Sequence, residues 1–179
     1  MTATTNFDME LWRNRSKAHR RLGADSRFIR AIDKVVRWCL SQGLSVQFTS
    51  QCGGIYYPEE KKVTLTSRAQ PRFQLFLLLH EIGHFLVAST ENHTRYSQGY
   101  RNVDPHITST FIHRLDIVDE EFEAWARGWS LGVRLKILKN DDRIAFDRIR
   151  ANMLKDYLKW SIKAPGYEDS KDNPSGKTG

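Results

Sequence analysis

The residues best suited to do chemistry lie in the segment 77–86, LLLHEIGHFL, which contains the pattern His-Glu-x-x-His. On a helix, residues four apart share one face, so His80 and His84 can each direct a ring nitrogen to a single cation. Glu81 lies about 100° around the helix from His80, where it is poorly placed as a third ligand but can reach a metal-bound water. Two imidazoles, one further protein oxygen and a position left to water describe a catalytic zinc site.

The alternative interpretation is a core helix whose histidines are only hydrogen-bonded. In a random chain of this length and composition, the expected number of chance matches to His-Glu-x-x-His is about 0.01. Two His and a Glu on a buried helix also need a partner that offsets their desolvation, which favours the metal.

A second predicted helix, over residues 117–135, offers the third ligand. A helical wheel places Glu121 at the centre of an apolar face, while Asp119 and Glu123 point the other way and Glu120 lies on the flank. The residues within about 60° of Glu121 are Ile117, Val118, Ala124, Trp125, Gly128, Gly132 and Leu135. A lone carboxylate on a buried face has to be paired or bound to a metal, so Glu121 is the predicted third ligand. The small residues Ala124, Gly128 and Gly132 recur every four positions, which predicts that another helix approaches this one closely.

These segments resemble the ImmA/IrrE family of small zinc metallopeptidases, which are zincins with a Glu third ligand. The resemblance is carried by Arg72-Phe73, by the motif, and by Glu121-Phe122-Glu123-Ala124. It covers roughly residues 25–136. In that family a Glu three residues before an Ala is the third zinc ligand, which agrees with the wheel. Trp125 departs from the family, which usually carries Asp or Asn after the Ala, and leaves open which residue orients the ligands.

The resemblance implies an α+β, zincin-like minimal metallopeptidase. Its elements would be N-terminal helices, a small three-stranded antiparallel sheet, the motif helix packed on the Glu helix, and a C-terminal helix. It further implies a hydrolase that cleaves a protein or peptide substrate, often a partner regulator, with one Zn²⁺ ion and with Glu81 as the catalytic base. In zincins an edge strand pairs with the substrate, and the resemblance assigns this part to Val63, Thr64 and Leu65.

The pattern along the chain predicts one domain over residues 1–163, with a basic N-terminal extension over 1–23 and a disordered tail over 164–179. Alternating apolar residues predict strands at 44–48 and 63–65, and the segment 55–57 between two turns completes an antiparallel meander. Asn140 is predicted to cap the last helix. Its expected core-facing residues are Ile144, Ile149, Met153, Tyr157, Leu158 and Ile162.

Residues 89–116 are polar and irregular, which predicts a surface loop or a lid over the site. Four of its side chains are candidates for stabilising a transition state: Tyr96, Tyr100, His106 and His113. Their spacing does not single one out, and a plain surface loop explains each of them equally well.

The formal net charge is +7, and residues 1–40 contain nine Lys or Arg against four Asp or Glu. A solvated helix surface is the simpler explanation of this charge. The same positive charge is also compatible with an alternative function. The chain would then be a non-catalytic, metal-stabilised binding module whose basic N-terminal region engages nucleic acid or a partner protein. The N-terminus lacks the apolar run of a secretory signal, and no apolar run is long enough to span a membrane. A cytoplasmic location without membrane contact is therefore expected.

Overall fold

A computed structural model describes residues 26–50, 53–89 and 104–163. Within these ranges the elements are α1 (Ser26–Ser41), β1 (Ser45–Thr49), β2 (Gly54–Tyr57), β3 (Lys62–Thr66), α2 (Pro71–Ala88), α3 (Pro105–Thr108), α4 (Phe111–Arg134) and α5 (Asp142–Ser161). The predicted α+β class is confirmed: five helices and one small mixed sheet occupy the described ranges. The basic extension, Tyr96, Tyr100 and the predicted tail lie outside the described residues.

The sheet differs from the predicted antiparallel meander, because β3 lies between β1 and β2. It pairs parallel with β1 and antiparallel with β2. The main-chain N–H groups of Ser67 and Thr66, at the end of β3, donate to the carbonyls of Thr49 and Gly53 at 2.7 and 2.8 Å. Side-chain alternation fixes which face of a strand is buried but not which strands are neighbours, so the sequence could not give this order.

The central position of β3 also overturns the predicted substrate strand. Val63, Thr64 and Leu65 pair with β1 on one side and with β2 on the other. Their main-chain groups therefore have no free edge to offer to an extended peptide. The outer strands of the sheet are β1 and β2.

The helix α2 carries the motif and runs through the centre of the core. Pro71 stands in its first turn, and the apolar side chains from Leu75 to Leu79 are fully buried. Gln74 donates a side-chain hydrogen bond of 2.8 Å to the carbonyl of Thr66 and so ties the helix to the end of β3. A helix that is apolar on every side is buried on every side, which positions its polar residues inside the protein.

The helix α4 crosses α2 at backbone contact. A Cβ at Gly83 would overlap the backbone of Ala124, and a Cβ at Gly128 would overlap the carbonyl of Leu79. The predicted close approach through small residues is confirmed. The helix begins at Phe111, earlier than predicted, because the hydroxyl of Thr110 caps it by accepting from the N–H of His113. The predicted irregular segment 89–116 is thus helical in its C-terminal part.

The helix α5 packs against α4 and α2 and completes the core. Asp142, which is 3% exposed, forms an ion pair with Arg27 of α1 and accepts from the N–H of Lys139 at 2.9 Å. The predicted core face is largely wrong, because Phe146 and Leu154 are buried whereas Ile144, Met153, Leu158 and Ile162 are exposed. Among the helices of the described residues, none is both long and apolar enough to cross a membrane.

Candidate metal centre

Three side chains from two helices converge on one point. His80 and His84 project from the same face of α2, and their ring centroids lie 4.7 Å apart. Both Nε2 atoms face Glu121 of α4, at 3.3 Å from His80 to Oε2 and 3.4 Å from His84 to Oε1. Glu121 is 2% exposed, as the helical wheel predicted.

The spacing of these atoms fits a metal ion better than a set of hydrogen bonds. A charge-assisted N–H···O bond is about 2.7–2.9 Å long, which is clearly shorter than both His–Glu distances. Two ligand atoms at about 2.0–2.1 Å from a tetrahedral zinc ion lie about 3.3 Å apart. One ligand atom from each of the three residues lies within 4.8 Å of the others. The group of His80, His84 and Glu121 can therefore hold a metal ion.

The electrostatics of the metal-free group follow from burial and close contact. Burial acts to lower the pKa of His84, but the nearby carboxylates of Glu120 and Glu121 outweigh it and raise this pKa to about 10. Burial acts to raise the pKa of Glu121, but the adjacent imidazoles of His80 and His84 hold it well below its usual range. Without a metal, these residues form a buried network of opposite charges.

Glu81 lies beside this group and is 5% exposed. Its carboxylate accepts a hydrogen bond from the main-chain N–H of Tyr56 in β2. Burial raises the pKa of Glu81 above its usual range, although the nearby charges of His80 and His84 act in the opposite direction. A carboxylate with a raised pKa is a stronger base than a free one, which suits proton transfer near neutral pH.

The residue that orients His84 is Glu120, which sequence reasoning placed on the flank of the helix without a role. Its Oε1 lies 3.5 Å from Nδ1 of His84, the ring nitrogen that does not face Glu121. A carboxylate on the second nitrogen fixes the tautomer of a metal-binding histidine and raises its basicity. The sequence signal that could have indicated this role is the position of Glu120 directly before the ligand Glu121. The structure adds that this side of α4 faces His84.

We expect Glu120→Gln to weaken metal binding about tenfold while one metal still binds per chain, because this variant removes only the charge behind His84. Competition with a chromophoric chelator measures the affinity. Glu123→Gln is the matched control, since Glu123 pairs instead with Arg127 at 2.7 Å. Equal affinities for the two variants would show that Glu120 does not support His84.

His80 has a different neighbour, Trp125, which is the residue that departs from the family pattern. The indole stacks on the imidazole with ring centroids 4.3 Å apart and an interplanar angle of 16°. Nδ1 of His80 is buried, and none of the described residues offers it a hydrogen bond. His80 is thus held by ring stacking, whereas His84 is held by a carboxylate.

The site opens into a cavity of about 990 Å³ between the sheet and the helices. β2 contributes Gly54 and Tyr56 to its wall, the turn after β2 contributes Glu59, and α5 contributes Tyr157. Tyr157 was predicted from the sequence only as a core-facing residue. An open cavity beside the metal-ligand group gives a substrate-sized molecule access to it.

Of the four transition-state candidates from the sequence, the structure describes two, His106 and His113, and neither lies at this cavity. Tyr96 and Tyr100 lie outside the described residues. His106 is exposed on the short helix α3. His113 is buried, packs edge-on against Trp160 and lies eight residues before Glu121, which is about 12 Å along the helix. Neither histidine is among the described residues that line the cavity.

A scan of protein-family models and searches of curated proteins and of solved structures find no match to this chain. The resemblance to the ImmA/IrrE family therefore stays a prediction. The metal-ligand group, Glu81 and the cavity are the features that indicate a function.

Proposed function

We propose that this chain is a zinc-dependent endopeptidase that hydrolyses peptide bonds of a protein substrate. The observation that carries the proposal is the buried carboxylate of Glu81, which lies beside three converging metal-ligand side chains at an open cavity. A site that only bound a metal would not need this carboxylate, because burying a further charge is unfavourable.

Zinc is the proposed metal because two imidazoles and one carboxylate at tetrahedral spacing match its preferred ligands. A bound zinc ion supplies a Lewis acid for the scissile carbonyl and lowers the pKa of its water. Glu81 accepts the proton of the attacking water and returns it to the leaving amine. Tyr157 is the described residue of the cavity wall that we propose as a donor to the oxyanion, since a phenol O–H can stabilise developing negative charge.

The proposed substrate path follows β2. Among the strands of the described residues, this one pairs only with β3, and it borders the cavity through Gly54 and Tyr56. An extended peptide can add to such an edge through the main-chain groups that Glu81 does not already contact, which gives affinity with little dependence on sequence. On the basis of the resemblance to the ImmA/IrrE family, we further propose that the substrate is a regulatory protein.

The test is to incubate the zinc-loaded chain with a library of peptides derived from a whole proteome and to sequence the new N-termini by mass spectrometry. We expect new N-termini that share a sequence preference and that are absent when Glu81→Gln replaces the wild type. A zinc-loaded wild-type chain that produces no new N-termini would reject the endopeptidase proposal. It would favour the alternative, a metal-stabilised binding module for nucleic acid or a protein.

The raised pKa of His84 predicts a pH dependence that zinc removes. Its pKa in the metal-free fold is about 10, against an ordinary value of 6.5. The folded state therefore binds one more proton than the unfolded state between these values, and the stabilisation, which is complete below pH 6.5, is lost as the pH rises towards 10.

Urea unfolding of the metal-free chain should accordingly show a stability that falls between pH 7 and pH 10, whereas the zinc-loaded chain lacks this contribution. Zinc binding near pH 8 should release about one proton from His84, since the ligand must be neutral. Calorimetry in buffers of different ionisation enthalpy measures this release. Zinc binding without proton release at pH 8 would contradict the prediction.

A further inference from the structure

The strand β2 contacts the proposed base at two points. The main-chain N–H of Tyr56 donates to the carboxylate of Glu81. Two residues earlier, a Cβ at Gly54 would lie 2.9 Å from Oε1 of Glu81 and 3.0 Å from its Cγ. Contacts under about 3.0 Å force something to move, so the space that a side chain at position 54 would occupy is taken by Glu81.

The pairing of β2 with β3 explains why these contacts face the site. In an antiparallel pair, alternate residues direct their main-chain groups towards the partner strand. Thr66 of β3 donates to the carbonyl of Gly53, so residues 53, 55 and 57 face β3. The N–H of Tyr56 consequently points to the outer edge of the sheet, where Glu81 accepts it.

Gly54 is required there for space rather than for its backbone conformation. The neighbouring Gly53 has a φ of 88°, in the region that favours glycine, whereas Gly54 does not. Any residue can adopt the backbone of position 54. Its absent side chain makes room for Glu81 and also for Leu77, whose Cγ would lie 3.0 Å from the added Cβ.

We propose that β2 is the positioning element of Glu81, through the N–H of Tyr56 and the missing side chain of Gly54. The inference rests on the proposed function, in which Glu81 is the base. A Glu side chain on a helix has three rotatable bonds, and its carboxylate must be fixed to take a proton efficiently. The strand supplies a hydrogen bond to the carboxylate at Tyr56 and a close wall beside it at Gly54.

The first test follows the hydrogen bond itself and needs no substrate. Amide exchange of Tyr56 in the zinc-loaded chain should become about ten- to a hundredfold faster in Glu81→Ala, the range that a hydrogen bond to a charged group is worth. The amide of Val63, which sits opposite Tyr56 in β3, is the internal control for the sheet. Unchanged protection of Tyr56 in Glu81→Ala, with the sheet intact, would overturn the inference.

The second test adds a methyl group with Gly54→Ala. We expect this variant to keep one zinc per chain but to lose about tenfold or more in kcat, with a smaller change in KM, because a displaced base affects the transition state more than binding. In the Glu81→Asp background, where the carboxylate is one methylene shorter, the same methyl group should change kcat much less.

Leu77→Ala is the matched comparison, since it relieves the other contact of the added methyl group. Rescue of Gly54→Ala by Leu77→Ala and not by Glu81→Asp would reject a role of Gly54 in positioning the base. A chain that cleaves no peptide at all but loses Tyr56 protection in Glu81→Ala would reject the endopeptidase and keep the contact between β2 and Glu81.

Discussion

Replacement of Glu81 by Gln is expected to slow peptide hydrolysis about 10² to 10⁴-fold while zinc binding and the fold stay those of the wild type. Gln has nearly the same shape, and its side-chain oxygen can still accept the hydrogen bond from the N–H of Tyr56. Only the group that accepts the proton of the attacking water is lost. Steady-state kinetics on a peptide found in the library experiment, together with zinc content, measure both parts of the prediction.

His80→Ala is the control for this variant, because it should lose zinc and hydrolysis together. A Glu81→Gln chain that keeps the full rate would show that Glu81 is not the base. If Glu81→Gln retains the whole biological effect of the wild type, hydrolysis is irrelevant to that effect and the chain acts as a zinc-stabilised binding module. A variant that binds a protein without cleaving it would supply the substrate by capture.

The second large effect is expected for the ligands themselves. His80→Ala, His84→Ala and Glu121→Ala should each lose stoichiometric zinc, since each removes one of three protein ligands. At free zinc about a thousandfold above its Kd, the wild-type chain should gain about 4 kcal/mol in its free energy of unfolding, and the three variants should lose this gain. Elemental analysis and urea unfolding with and without zinc measure the two effects.

Glu123→Ala is the matched control in the same helix. Glu123 forms an ion pair with Arg127 and is not among the residues that could hold the metal, so its loss should leave zinc binding unchanged. A Glu121→Ala chain that keeps one zinc would mean that another residue supplies the third ligand. Loss of zinc in Glu123→Ala alone would show that the helical wheel was read wrongly.

The sequence by itself determined those features of the site that depend on spacing within a single helix. His80 and His84 share a face because residues four apart on any helix do so, and this geometry needs no tertiary information. Glu121 was found because its helix has a narrow apolar face, and a carboxylate at the centre of that face ends up buried wherever the helix packs. Gly128 was likewise predicted to allow close helix packing, and α2 and α4 meet there.

The predicted core face of the C-terminal helix α5 was wrong because the apolar residues of this helix are not confined to one face. Phe146 and Leu154 fill the core, whereas Ile144 and Ile162 are exposed. Helical periodicity identifies a core face only when the apolar residues cluster on one side of the wheel. The choice between two comparable faces is made by the shape of the surface that receives the helix, here the side of α4 that carries Trp125 and Trp129.

The tertiary structure alone decided which groups surround the site. Strand order placed β2 rather than β3 at an outer edge of the described sheet, because the pattern within a strand carries no information about its neighbours. The partners of the two histidines, Glu120 and Trp125, depend on how α4 is rotated and seated against α2. Tyr157 reaches the cavity from a helix far along the chain. Contacts between distant segments depend on the packing of whole elements, and local spacing in a single sequence does not specify that packing.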